Sequence, residues 1–169
     1  MIKEHIFLKL GTVKEAEADA IVNEINNDLI FAPESHTSLG ADVDVDIIRQ
    51  CLAIGKLDLG DAVVTDAGDL DARWIIHAAS MDYDQNSTEN SIVSALRSAL
   101  VKATEVGART IALPPIGIAT SDVPVKRVAE LLLSECLRHN DRESTVEEAT
   151  FFLPDKSTMR VFEECLKQI

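Results

Sequence analysis

The chain has 169 residues, 46% of them hydrophobic, and a formal net charge of −13 at pH 7, which fits one globular domain over residues 1–169 with a full buried core. The acidic balance argues against nucleic acid as a partner, since neutralising phosphates needs lysine and arginine. No apolar run reaches the roughly 20 residues of a membrane span, and Met1 to His5 offers no signal-peptide core.

Ile6 to Leu10 reads as a first strand ending at Gly11. Ala20 to Ile25 is a second, nearly continuous in apolar character as suits a strand covered on both faces. Asn26-Asn27-Asp28 closes it with turn chemistry. An irregular stretch from Leu29 to Gly40 precedes a helix over Ala41 to Ala53, with Val43, Ile47, Ile48 and Cys51 on one face. Asp61 to Thr65 and Trp74 to His77 read as strands joined around Gly68, which admits an antiparallel pair. Met81 to Glu89 is a polar surface loop. Between Asn86 and Glu105, Ile92, Leu96, Ala99, Leu100 and Ala103 keep helical spacing, and Gly107 supplies the stop.

Thr110 to Leu113 forms the next strand, and the chain then passes through the small-residue loop Gly117 to Asp122. A helix opens at Val123 and Pro124 with Asp122 in the N-cap position, carrying Val125, Val128, Ala129, Leu132 and Cys136 inward. A strand running through such a loop into a helix N-terminus is a general anion-binding device, because backbone N–H groups and the helix dipole point the same way. It also serves as an ordinary strand-to-helix connection. Ala149 to Leu153 is a last strand and Ser157 to Leu166 a last helix. The alternation predicts an α/β fold, a three-layer α/β/α sandwich with a mixed central sheet. Cys51, Cys136 and Cys165 are far apart and odd in number, the pattern of reduced, buried thiols in a cytoplasm.

Four stretches, in order, resemble the macrodomain family. Asp19-Ala20-Ile21-Val22-Asn23 followed by Asn26 is similar to its D-A-I-V-N-A-A-N. Gly60 to Thr65 resembles G-[ED]-A-V-x-T, and Trp74 to His77 resembles its V-I-H strand. Ile111 to Pro114, Gly117 and Pro124 fall where the second phosphate loop, I-A-[LF]-P-A-[LI]-G-T-G-x-x-G-x-P, has them. The resemblance implies a three-layer sandwich and a cleft for ADP-ribose or a related nucleotide metabolite, with no cofactor.

Carried over position by position, the resemblance implies that Asn26 contacts the distal ribose, since an amide both donates to and accepts from hydroxyls. On residues alone, Asn26 reads equally as a turn former. Asn23 serves the backbone. The second loop supplies Gly117, Ile118, Ala119, Thr120, Ser121 and Asp122, with Ala119 and Ser121 at former glycine positions. Thr12 stands where the family has an acidic reader of the adenine amino group. Leu153, or Phe152 if the register slips by one, stands for the adenine-stacking aromatic. The first loop departs most, keeping Gly40 as its one glycine and adding the charge of Glu34.

No catalytic residue is identified. Hydrolytic branches of the family use an acidic residue by the first loop, or a lysine with an aspartate in the second. Asp122 lies one position past the latter place without a lysine partner, and reads as a helix cap. His77 fits a satisfied core histidine, and His36 either acts on a ligand or faces solvent. His5 and His139 are isolated, so no metal-ligand spacing is present. Two readings follow. One is a protein binding ADP-ribose or a related nucleotide metabolite, with weak ADP-ribosyl hydrolase activity. The other is a non-catalytic binding or assembly module with a remodelled or closed cleft.

Overall fold

The computed structural model describes residues 3–139 and 144–169, so Met1 and Ile2 of the N-terminal stretch lie outside the described residues. The elements run β1 (Ile6–Leu10), β2 (Ala20–Asn26), α1 (Val45–Ile54), β3 (Ala62–Asp66), β4 (Trp74–Met81), α2 (Glu89–Glu105), β5 (Thr110–Leu113), α3 (Val125–Arg138), β6 (Glu148–Leu153) and α4 (Lys156–Gln168). All six strands join one sheet in the order β1-β6-β5-β2-β4-β3. The pairs are parallel except β3 with β4, which meet antiparallel across the turn around Gly68. The expected mixed sheet is present.

Successive residues of a strand face opposite sides, and β2 shows it directly. Ala20 and Val22 join a core built with Ile92 and Leu96 of α2, Leu132 of α3 and Phe162 of α4. Ile21 and Ile25 join a second core with Ile47 and Cys51 of α1. Helices therefore cover both faces of the sheet, giving the three layers. Every residue of β2 is buried, as its apolar run implied.

Capping chemistry sets the helix ends, and one end corrects the sequence reading. Asp44 accepts from Asp46 N–H, so α1 starts at Val45 rather than Ala41. Thr88 and Ser91 exchange side-chain-to-backbone hydrogen bonds at the start of α2. Asp122 does not cap α3. That helix begins at Val125 behind Pro124, with no side-chain cap, and Asp122 is exposed. The hydroxyl of Ser121 instead accepts from Val123 N–H and donates to Gly117 O, turning the chain before the helix can start. The strand predicted over Trp74 to His77 continues to Met81, because the small buried residues Ala78, Ala79 and Ser80 fit between β2 and α2.

β2 and β5 share only two residue pairs, Ala20 with Ile111 and Ile21 with Ala112. Pro114 and Pro115, which carry no N–H, end β5 just beyond. The outer half of β2 then has no strand on that side. Ser38 fills the place: its N–H donates to Glu24 O at 3.1 Å, and its Oγ accepts from Glu24 N–H at 3.0 Å.

Candidate ligand cleft

Open α/β sheets bind ligands beyond the carboxyl ends of their strands, and a cavity of about 190 Å³ lies there in this chain. Its apolar end is carried by the chain leaving β1 (Thr12, Val13) and by Phe152 and Pro154 at the end of β6. Pro114, Pro115, Ile118 and Ala119, after β5, form the middle. Glu24, His36 and Ser38 form the polar end beside β2. The sheet order β1-β6-β5-β2 fixes that sequence of walls.

Glu24 dominates the polar end. It is 2% exposed, on a strand whose other residues are all buried. Gly117 N–H, the Ser80 hydroxyl and the Thr120 hydroxyl donate to its Oε1 at 2.9, 3.0 and 3.1 Å. Because Thr120 donates to Glu24, the Ser87 hydroxyl donates to Thr120 Oγ1 across their 2.7 Å contact. The other oxygen, Oε2, lies 3.4 Å from His36 Nε2. This hydrogen bond raises the pKa of His36 above its ordinary value; partial burial opposes the rise, and the Glu24 charge reinforces it. Gln85 holds the His36 loop in place: its Oε1 accepts from His36 N–H and its Nε2 donates to Glu34 O, both at 2.9 Å.

Behind the cleft, His77 sits between Asn23 and Thr65. Thr65 donates its hydroxyl to Asp66 O, so it accepts from His77 Nε2–H at 2.8 Å, leaving Nδ1 to accept from Asn23 Nδ2 at 3.1 Å. Burial pushes the imidazole down to about 3, which keeps it neutral. Phe31 packs edge-on against its ring. Asn23 Oδ1 also accepts from Leu39 N–H, fastening the irregular loop to β2.

A family model for the Macro domain matches residues 32–132. The chain belongs to the macro domain family. A macro domain-containing protein of Streptomyces coelicolor is 30% identical over 164 residues, covering 93% of this chain and 95% of the relative. An uncharacterized protein of Mycobacterium tuberculosis is 29% identical over 155 residues, covering 92% of this chain. The chain spans only 43% of that mycobacterial protein's length. Among solved structures, the Trypanosoma brucei macrodomain in complex with ADP superposes with a TM-score of 0.83 at 20% identity, covering 96% of this chain and 69% of that one. The Oceanobacillus iheyensis macrodomain with ADP gives 0.79 at 20% identity, covering 95% and 89%.

Within this macro domain the sequence candidates divide into three groups. Thr12, Ile118 and Ala119 line the cleft. Gly117 and Thr120 meet it from below, through their hydrogen bonds to Glu24, while Ser121 braces the loop and Asp122 faces solvent. Asn26 and Leu153 are fully buried and absent from the lining. The Asn26 amide holds its own turn, accepting from Asp28 N–H and Ile30 N–H and donating to Ile30 O. Asn26 is thus not among the residues lining this cavity, and Glu24 takes the β2 side. Phe152, one residue before Leu153, is the aromatic that lines the cleft.

Glu24 escaped the sequence reading, although its signal was present. It is a carboxylate inside an apolar strand, where the family pattern D-A-I-V-N-A-A-N has a small residue.

Proposed function

We propose that this macro domain is a non-hydrolytic binding module whose cleft receives a nucleoside, the part of an ADP-ribose-type metabolite that needs no phosphate cradle. The observation carrying this reading is the division of the cleft. Phe152, Val13 and the prolines offer flat apolar walls for a base, while the polar end holds a carboxylate whose Oε1 already has three donors. The solved macrodomains with ADP bound support a nucleotide-related ligand. A volume of about 190 Å³ falls below the roughly 300 Å³ where pockets for whole drug-sized ligands begin, which favours a partial ligand. Hydrolysis would need a carboxylate free to activate water, and Glu24 is engaged by Ser80, Gly117, Thr120 and His36.

The single sheet that takes strands from both ends of the chain supports one domain over residues 1–169. Three buried free cysteines support a reducing, cytoplasmic setting, and among the described residues no helix is long and apolar enough to cross a membrane. The acidic excess supports a small-molecule partner rather than nucleic acid.

The test is titration with adenosine, followed by amide NMR and calorimetry, and incubation with a mono-ADP-ribosylated protein. Adenosine is expected to shift the amides of Val13, Ala119 and Phe152, and the modified protein is expected to stay modified. Shifts confined elsewhere, or release of ADP-ribose, would overturn the reading.

A further inference from the structure

We propose that Glu24 is a built-in occupant of the cleft's anion cradle, and that it sets ligand class by admitting a phosphate-free nucleoside and opposing a diphosphate. The proposal rests on the nucleoside reading of the cleft given above.

A backbone N–H and two hydroxyls converging on one point form a donor set suited to an oxyanion. Here that point is Glu24 Oε1, held by Gly117, Ser80 and Thr120 within 3.1 Å. The carboxylate reaches the loop that follows β5 from β2, so the strand delivers it at high effective concentration, as any tethered ligand is delivered. It has little freedom to leave. Glu24 is 2% exposed, its backbone is bonded to Ser38 on one side and paired with β4 on the other, and His36 contacts its second oxygen.

An incoming phosphate must therefore displace a carboxylate from its donors and remain beside a like charge. Each obstacle is removed by shortening the side chain, and neither depends on Ala119 or Asp122. Asp122 is exposed and uncommitted to the loop N–H groups, so it does not guard the cradle.

The experiment compares wild type, Glu24→Ala and Glu24→Gln by calorimetry, using adenosine, ADP-ribose and inorganic pyrophosphate, with folding checked by circular dichroism. Wild type is expected to bind ADP-ribose no more tightly than adenosine and to ignore pyrophosphate. In Glu24→Ala, the ratio of ADP-ribose to adenosine affinity should rise about tenfold or more, the scale of one charge-assisted hydrogen bond regained, and pyrophosphate binding should appear. Glu24→Gln removes the charge but keeps an acceptor, so its ratio should rise by about threefold. If Glu24→Ala does not fold, Glu24→Gln decides alone. An unchanged ratio together with absent pyrophosphate binding in the folded variants overturns the proposal. Absence of adenosine binding to all three proteins overturns the nucleoside reading and the ligand class with it, whereas the pyrophosphate result still reports separately on whether Glu24 blocks the cradle.

Discussion

Replacing Gly117 with alanine should destabilise the protein for two separable reasons. The residue has a φ of 92°, where an L side chain is strained, and a Cβ built there would lie 2.6 Å from Ile92 Cγ1. Ile92 is completely buried in α2 and packed on the sheet, so it cannot swing clear into solvent. The left-handed backbone costs about 1–2 kcal/mol for a residue with a Cβ, and overpacking a filled core costs about 1–3 kcal/mol. Gly117→Ala should then lose roughly 2–5 kcal/mol, measured by urea unfolding with linear extrapolation. The two parts come apart on an Ile92→Ala background. There the steric clash is gone, and Gly117→Ala should cost only the backbone part of about 1–2 kcal/mol. A double-mutant cycle should accordingly show favourable coupling of about 1 kcal/mol or more. A wild-type loss below about 1 kcal/mol, or equal losses on both backgrounds, would refute the reasoning.

His77 supplies a pH prediction. Its folded pKa of about 3 lies below the unfolded value near 6.5, so the unfolded chain takes up the proton first. Stability present above pH 6.5 should fall by up to about 1.4 kcal/mol per pH unit as pH drops toward 3. Imidazole NMR should find His77 neutral in the folded protein at pH 5, and a folded-state titration near 6.5 would contradict the assignment. Asn26→Ala should cost about 1–3 kcal/mol, because Asp28 N–H and Ile30 N–H lose their acceptor, and Ile30 amide exchange should accelerate. Unchanged stability with weakened adenosine binding would instead make Asn26 a ligand contact.

The sheet and its helices were legible because their signals are local. Apolar runs, the turn around Gly68 and the stop at Gly107 each act within a few residues. The α3 start was misplaced because two local signals compete within four residues. Asp122 with Pro124 reads as a cap and first turn, but the Ser121 hydroxyl claims Val123 N–H first. The polar end of the cleft was illegible for a different reason. The partners of Glu24 at Ser80, Gly117 and Thr120 lie 56, 93 and 96 residues away along the chain. The Gln85 brace on His36 likewise spans 49 residues. No spacing rule announces such contacts, although a carboxylate in an apolar strand signals that some must exist, since a buried charge needs partners.

The first loop and Glu24 have one explanation in common. A glycine-rich loop closes over a diphosphate by bringing bare backbone near it. Here the corresponding stretch is anchored from below instead. Leu29 and Leu39 are buried in the core shared with α1, Phe31 packs on His77, and Leu39 N–H is held by Asn23. Bringing this backbone down on a phosphate would withdraw Leu39 from that core, and burying a leucine contributes about 1.5–3 kcal/mol. His36, carried on the same stretch, meets Glu24 only while the loop stays anchored. The contacts that stabilise the fold at this corner are therefore the ones that close the anion cradle. Loosening them should lower stability while improving phosphate binding, so the two properties should move in opposite directions in Glu24→Ala. A Glu24→Ala protein that gained pyrophosphate binding with no loss of stability would show that the carboxylate guards the cradle without helping to build the fold.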